Sequence, residues 1–256
     1  MRKILSAHSK TPKEMLYLET GNIPIRFILK GRRLNFLWYI LNEDEDSLLY
    51  SFFKAQCENP VRGDWVNTVK SDLDEVDIKM DFESIKNTSK QAFKKLVKEK
   101  VRQSAFVHLI GVQQSKSKSK NVIYSELKLQ EYLTSKNTMT IKEKSFTFAA
   151  RSSMLDLNGN FKNGKTDILC RNCFMEEEVQ SHLLSCSALI DNSIVNSGSL
   201  PVYEDLFCDN SQKIEQIAKI LMQKYYSFVN ITATCTEQSC AAIDTTTQAT
   251  VSLDLD

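Results

Sequence analysis

Glycine and proline are scarce, at 7 and 4 of 256 residues. β-Sandwiches and barrels need turn residues at every hairpin, so this scarcity points to helices. Long apolar runs are missing too. No stretch of about 18 apolar residues occurs, so no membrane span is expected. Met1 to Lys13 has no apolar segment after its basic residues, which excludes a recognisable signal peptide and gives an intracellular expectation, nucleus or cytoplasm. Net charge is nearly absent at +1, so the total charge says nothing about partners. An even cysteine count is also lacking. Seven cysteines without a secretory signal argue against a disulfide framework and for reduced thiols.

An ordinary apolar share of 42% allows a real core in a chain of one large or two small domains. Helix punctuation is plentiful. Thr11-Pro12-Lys13-Glu14 reads as a capped helix start ended by Gly21, and Pro24 opens a second helix running to about Asn42, weakened by Gly31. Asp46 or Ser47 can cap a third, which Asn59-Pro60 stops. Asp64 to Leu73 and Asp81 to Ile85 read as short helices. Thr88 or Ser89 caps the longest, in which Phe93, Val97, Val101, Ala105 and Leu109 recur at helical spacing while lysines fill the other face. Gln113 to Lys120 alternates serine and lysine as a mobile loop would. Thr140 with Glu143 forms another capping box, Asn158-Gly159-Asn160 a turn, and Tyr203 to Phe228 a closing amphipathic helix. From Val229 the chain has no Lys or Arg and is rich in Thr, Ser and Ala, so a disordered tail is expected. The expected fold is mainly α: an irregular helical bundle with a small zinc-stapled segment. Its regions would be 1–85 and 86–160, both helical, the latter basic; then 161–228, holding the metal segment and closing helix; then the tail, 229–256.

The firmest chemical signal is Cys170-Arg-Asn-Cys173 followed by His182 and Cys186. The first pair suits a tight knuckle whose thiolates meet one ion, and a four-residue step on a helix puts His182 and Cys186 on one face. Three thiolates and an imidazole make a closed tetrahedron, so one structural Zn2+ is expected, with no open position for an activated water. Glu178, one turn before His182, can orient the imidazole; a solvated glutamate is the plainer alternative.

Local charge is uneven. Residues 43–83 hold twelve acids against four bases, a balance of −8; residues 84–120 hold ten bases against one acid, a balance of +9. This suggests a polyanionic partner, RNA or DNA. Two solvated faces that partly neutralise each other produce the same pattern. The residues able to meet phosphates are Lys90, Lys94, Lys98 and Arg102 on the long helix, Lys116, Lys118 and Lys120 after it, and Arg32 and Arg33. Phe36, Trp38 and Tyr39 could stack on bases, although core is the favoured reading for them. Arg151 at a helix end either satisfies the helix dipole or meets a phosphate.

In order along the chain stand Leu16-Tyr-Leu-Glu-Thr-Gly-Asn-Ile-Pro-Ile-Arg26, Arg32-Arg33-Leu34-Asn35, Asn59-Pro60, Gly63-Asp64-Trp65-Val66, Phe93-Lys-Lys-Leu-Val-Lys98, Phe148-Ala-Ala-Arg-Ser-Ser-Met154, Asn160-Phe161-Lys162, the Cys/His segment and Tyr203-Glu-Asp-Leu-Phe207. Together they resemble the C-terminal, post-polymerase region of non-LTR (LINE-type) retrotransposon reverse transcriptases, including its zinc-binding segment, over about residues 12–228. The resemblance implies a region that holds template RNA or target DNA, with the polymerase domain of a parent polyprotein as a possible partner. The family's Tyr/Phe-x-Asp-Asp catalytic motif is not found, and neither is its endonuclease domain, so no catalysis is expected. Two classes of function follow: a non-catalytic nucleic-acid-binding fragment, or else a zinc-stapled helical scaffold for protein partners or a retroelement relic that binds nothing.

Overall fold

Nine α-helices make up nearly all the regular structure in the described part of the chain. The computed structural model describes residues 2–3, 5–161, 168–189 and 202–247, without the side chains of residues 161 and 231–247. No strand occurs among the described residues, only two isolated bridges, Thr20 with Leu129 and Leu169 with Glu177. The expected all-helical class therefore holds. The chain gathers into two compact units, one of Lys13–Lys120 with Tyr124–Gln130, the other of Met1–Pro12, Asn121–Ile123 and Glu131–Asp256. The boundary expected near residue 85 falls inside the first.

That first unit carries α1 (Lys13–Thr20), α2 (Ile25–Leu41), α3 (Leu48–Glu58), α4 (Trp65–Glu75), α5 (Phe82–Lys86) and α6 (Lys90–Gln114). Its helix starts are written in short polar side chains. Ser47, Asp64, Asp81 and Ser89 each accept a hydrogen bond from the backbone N–H three residues on, satisfying donors that the first turn leaves orphaned. Helix α6 is the spine. Phe93, Val97, Val101, Ala105 and Leu109 are buried along one side, and α1 and α2 pack against it. Gly31 of α2 faces Val97 and Val101, so the residue that weakens α2 locally lies at the helix crossing.

An ion cluster ties α2 to α4. The buried Asp72 carboxylate accepts from Arg33 Nε at 2.6 Å and Nη2 at 3.0 Å, and from Lys30 Nζ at 3.0 Å. Lys30 also bonds Glu75. The segment 124–130 closes over α1: Tyr124 Oη donates to the buried Glu19 at 2.7 Å, and the Gln130 N–H donates to the Glu19 carbonyl at 3.0 Å. Gly21 ends α1 with φ +65°, and a Cβ there would fall on the backbone of Lys128 and Leu129.

The second unit holds α7 (Ile141–Arg151), α8 (Gln180–Ser185) and α9 (Ser211–Thr247). Thr140 and Glu143 make the expected capping box on α7. Helices α7 and α9 pack together; Ile214 and Ala218 join Tyr132 and Met139 in one apolar cluster. Arg151 is buried, donating through Nη1 to the carbonyls of Leu206 and Cys208, with its guanidinium 5.7 Å from the Tyr132 ring centre. It is an internal clamp, and no phosphate reaches it.

Four local expectations change. Tyr203–Phe207 is a separate 3-10 turn, because Asn210 accepts from the N–H groups of Gln212 and Lys213 and starts α9 afresh. Helix α9 passes Phe228 and runs to Thr247, through a stretch without glycine or proline; residues 248–256 lie outside the described residues. The serine–lysine segment is anchored: Gln113 and Ser119 are both buried, and the Gln113 amide donates to the Ser119 carbonyl. Thr11 makes no cap, since its hydroxyl is buried without a hydrogen-bond partner.

Removing the Asp72 carboxylate leaves two cations beside apolar surface, so Asp72→Ala should cost on the order of 3 kcal/mol. Urea unfolding should show a lower midpoint at unchanged slope. A midpoint equal to wild type would mean the cluster contributes nothing.

Candidate metal centre

The metal segment begins as a hairpin. The Cys170 N–H donates to the Glu176 carbonyl at 2.7 Å, and the Glu178 N–H donates to the Ile168 carbonyl at 2.9 Å. Between them the Phe174 N–H closes onto the Cys170 carbonyl at 2.9 Å. Phe174 itself sits at φ +56°, a left-handed conformation that reverses the chain directly after Cys173 and turns both thiols inward. Helix α8 then supplies His182, and Cys186 terminates it.

The four ligand atoms of Cys170, Cys173, His182 and Cys186 all lie within 4.8 Å of one another. Cys170 Sγ is 3.9 Å from Cys186 Sγ, and Cys173 Sγ is 3.2 Å from His182 Nε2. Ligand bonds of about 2.3 Å to sulfur and about 2.0 Å to nitrogen give tetrahedral edges of roughly 3.5–3.8 Å, so the arrangement can hold a metal ion. Cys170, His182 and Cys186 are buried, and Cys173 is half-buried. Backbone hydrogen bonding, first from the Met175 N–H, draws the Cys173 thiol down to about 7, whereas burial pushes the Cys186 thiol up to about 12. A metal cation held here would keep all three sulfurs as thiolates against the cost of burial.

The histidine has a carboxylate partner, and it is Glu176. His182 Nδ1 lies 3.0 Å from Glu176 Oε2, which fixes the ring with Nε2 toward the thiols. Glu178 was the sequence candidate for this role, with a solvated glutamate as its alternative. It is neither. The i to i+4 spacing requires one continuous helix, but α8 starts only at Gln180, so Glu178 points elsewhere.

Glu178 is fully buried, with 0% of its side chain exposed. Its oxygens accept from the Asn158 N–H at 2.7 Å, the Arg171 N–H at 3.0 Å, and Arg171 Nη2 and Nε at 2.7 and 2.9 Å. The bond to Glu178 also raises the Arg171 guanidinium above its ordinary value. One carboxylate thus joins the hairpin's two arms to the turn at Asn158. Gly159 is required beside it: a Cβ there would come 2.7 Å from the Glu178 carbonyl. Gln180 adds a further tie, donating to the Ala150 carbonyl at 2.7 Å and accepting from Tyr203 Oη at 3.0 Å.

The candidate phosphate contacts divide. Lys90, Lys94 and Lys98 are exposed on α6, as are Arg32, Lys116 and Lys120; Lys118 is half-buried. Lys90 lies 5.7 Å over the Trp38 ring. Two members drop out of the set. Arg33 is locked onto Asp72, and Arg102 donates to the Leu127 carbonyl. Among the rings, Trp38 is half-buried with Nε1 donating to the Thr88 carbonyl, but Phe36 and Tyr39 are exposed rather than core.

No protein-family model, curated protein or solved structure matches the chain. The likeness to the retroelement enzymes therefore rests on the quoted residues alone, and the site must be argued from its own chemistry.

The two glutamates can be told apart. Glu176→Gln should weaken metal affinity roughly 10- to 100-fold with little change in the melting temperature of the loaded protein. Glu178→Gln should instead lower the melting temperature by several degrees, because it removes a charge that satisfies four donors. Competition with a chelator and thermal melts check both; the opposite assignment of effects would overturn the division.

Proposed function

We propose that this chain is a non-catalytic, zinc-stapled nucleic-acid-binding module of the kind found after the polymerase domain in non-LTR retrotransposon reverse transcriptases. A thiolate-rich tetrahedral donor set is the preference of zinc, and with four protein ligands no position is left for a reacting water. The role of the ion is to hold the hairpin and α8 together. RNA or DNA is the partner.

One observation carries the binding. Lys94, Lys95 and Lys98 are exposed on one side of α6 and make no ion pair among the described residues. The acidic stretch at 43–83 engages the basic region at two points among the described residues: Lys86 pairs with Glu45 at 3.4 Å and Lys100 with Asp77 at 2.9 Å. The central lysines keep their charge for phosphate.

Purified under reducing conditions, the protein should contain one zinc per chain, and a cobalt-substituted form should show thiolate charge-transfer bands. Elemental analysis without zinc would refute the metal assignment.

For the nucleic acid, three lysine contacts on single-stranded RNA predict a slope of roughly −2 in log affinity against log salt. Replacing Lys94, Lys95 and Lys98 by glutamine should weaken binding alike for all sequences and flatten that slope, with zinc content and helicity unchanged. Absence of measurable affinity at about 50 mM salt, or a triple variant that binds like wild type, would leave the protein-scaffold reading in its place.

A further inference from the structure

Helix α3 is amphipathic in the wrong sense for a helix that only supports its neighbours. Of its apolar residues just Phe53 is buried. Leu48 is 84% exposed and Phe52 65%, with Leu49 beside them. Positions 48, 49 and 52 share one face, and Lys54 lies on the opposite one. Helix α2 continues the same surface. Phe36 and Tyr39, 43% and 46% exposed, stack with ring centres 6.0 Å apart and only 13° between planes. Between the two helices a groove of about 130 Å³ opens, walled by Phe36, Leu49, Phe52 and Trp65. It has room for an apolar anchor side chain. A contiguous face of this kind is unusual on a folded surface unless something covers it.

The surrounding charge selects the occupant. The α2–α3 connection carries Glu43, Asp44, Glu45 and Asp46. Lys86 pairs with Glu45, while Glu43, Asp44 and Asp46 have no cation partner among the described residues. The Glu43 carboxylate beside Tyr39 raises that phenol above its ordinary value. Phosphates would be repelled at this end, so nucleic acid does not fit. A second copy presenting the same face would bring two acidic connections together, which also opposes pairing. An amphipathic helix with Lys or Arg flanking its apolar row satisfies both features: its anchors enter the groove and its cations meet the acidic loop.

We propose that the outward face of α2 and α3 is a docking site for a basic amphipathic helix of a partner protein. Phe52 and Leu48 supply the apolar contact, and Glu43, Asp44 and Asp46 select for basic flanks. This site is separate from the lysine row on α6 and does not depend on nucleic-acid binding.

The test selects helices from a displayed library of amphipathic peptides with a fixed apolar row and randomised flanks, using the full chain as bait. Leu48→Asp/Phe52→Asp protein serves for counter-selection; both residues are well exposed, and circular dichroism with metal content verifies its fold. Enriched helices should carry an excess of Lys and Arg. They should bind the Leu48→Asp/Phe52→Asp protein at least about ten-fold more weakly. A Glu43→Gln/Asp44→Asn/Asp46→Asn protein, which keeps the apolar face, should also lose about ten-fold for basic helices. Failure to enrich any helix overturns the proposal, as do acidic flanks or binding that survives both variants. Light scattering that shows a concentration-dependent dimer abolished by Leu48→Asp/Phe52→Asp would assign the face to a second copy instead. Loss of oligo(U) binding in that variant, with no helix selected, would assign it to RNA.

Discussion

The buried carboxylate of Glu178 is the constraint on which the metal segment depends. A fully buried charge is tolerated only when its lone pairs are filled, and here the Arg171 guanidinium and two backbone N–H groups fill them. Those donors come from the knuckle and from the turn at Asn158, so satisfying the charge brings both to one place before any ion is considered. Arg171 lies inside the Cys170–Cys173 knuckle, and its ring neighbour is Phe228 of α9, 5.2 Å away. One side chain therefore links the thiol-bearing turn to the buried carboxylate and to the closing helix. An ion held by the four ligands would add the complementary closure, joining the knuckle to α8. Neither device would duplicate the other: coordination would fix the thiols and the imidazole, while the carboxylate fixes the backbone that carries them.

In the other unit Asp72 plays a comparable part, with a different consequence for function. It removes Arg33 and Lys30 from the set of available cations. The Leu127 carbonyl removes Arg102, and Asp77 removes Lys100. A balance of +9 over residues 84–120 thus overstates the charge that a phosphate backbone can meet. What is left exposed is Lys90, Lys94, Lys95 and Lys98 on α6, with Lys116 and Lys120 after it, and the buried side of the helix is fixed by Phe93, Val97 and Val101. Helix rigidity matters there, because a preorganised row loses less conformational freedom on binding than lysines on a free loop.

Much of this was legible in the sequence where the physics is local. Asp64, Asp81 and Thr140 were readable as helix starts, and Ser47 and Ser89 as one of two neighbouring candidates each, because a cap needs only its own side chain and an N–H three residues away. The four-residue repeat of α6 and the Cys/His cluster were readable for the same reason: spacing alone places those groups on one face or in one turn. Asn210 carries an equally local signal for the start of α9, but the apolar pattern that continues from Tyr203 masks it. The pairings that decide availability were not legible. Arg33 with Asp72 spans 39 residues and Arg151 with Leu206 spans 55, and nothing in either neighbourhood marks the partner. Glu178 shows a subtler failure. Its spacing to His182 was right for a helix, but the chain there is the end of a hairpin, and the neighbouring Glu176 reaches the ring instead.

Helix α2 carries both consequences at once. Its inward face, with Phe27, Leu34 and Leu37, is core; its polar flank, with Lys30 and Arg33, is consumed by α4; its remaining face presents Phe36 and Tyr39 outward. A helix needs only one apolar stripe to pack in a bundle, and a second stripe adds nothing to folding while exposing rings to water. The same holds for α3, whose single buried residue anchors it while Leu48 and Phe52 remain outside. Both surplus stripes adjoin the α2–α3 connection, where Glu43, Asp44 and Asp46 have no cation partner among the described residues, and both stand on helices held by buried polar locks or capped ends. The lysine row of α6 has the reverse character, with Lys94, Lys95 and Lys98 cationic and exposed. Two faces of opposite charge and different polarity cannot serve the same ligand, since a polyanion attracted to one is repelled by the other. The proposed phosphate contacts on α6 and the proposed helix site across α2 and α3 therefore call for different ligands.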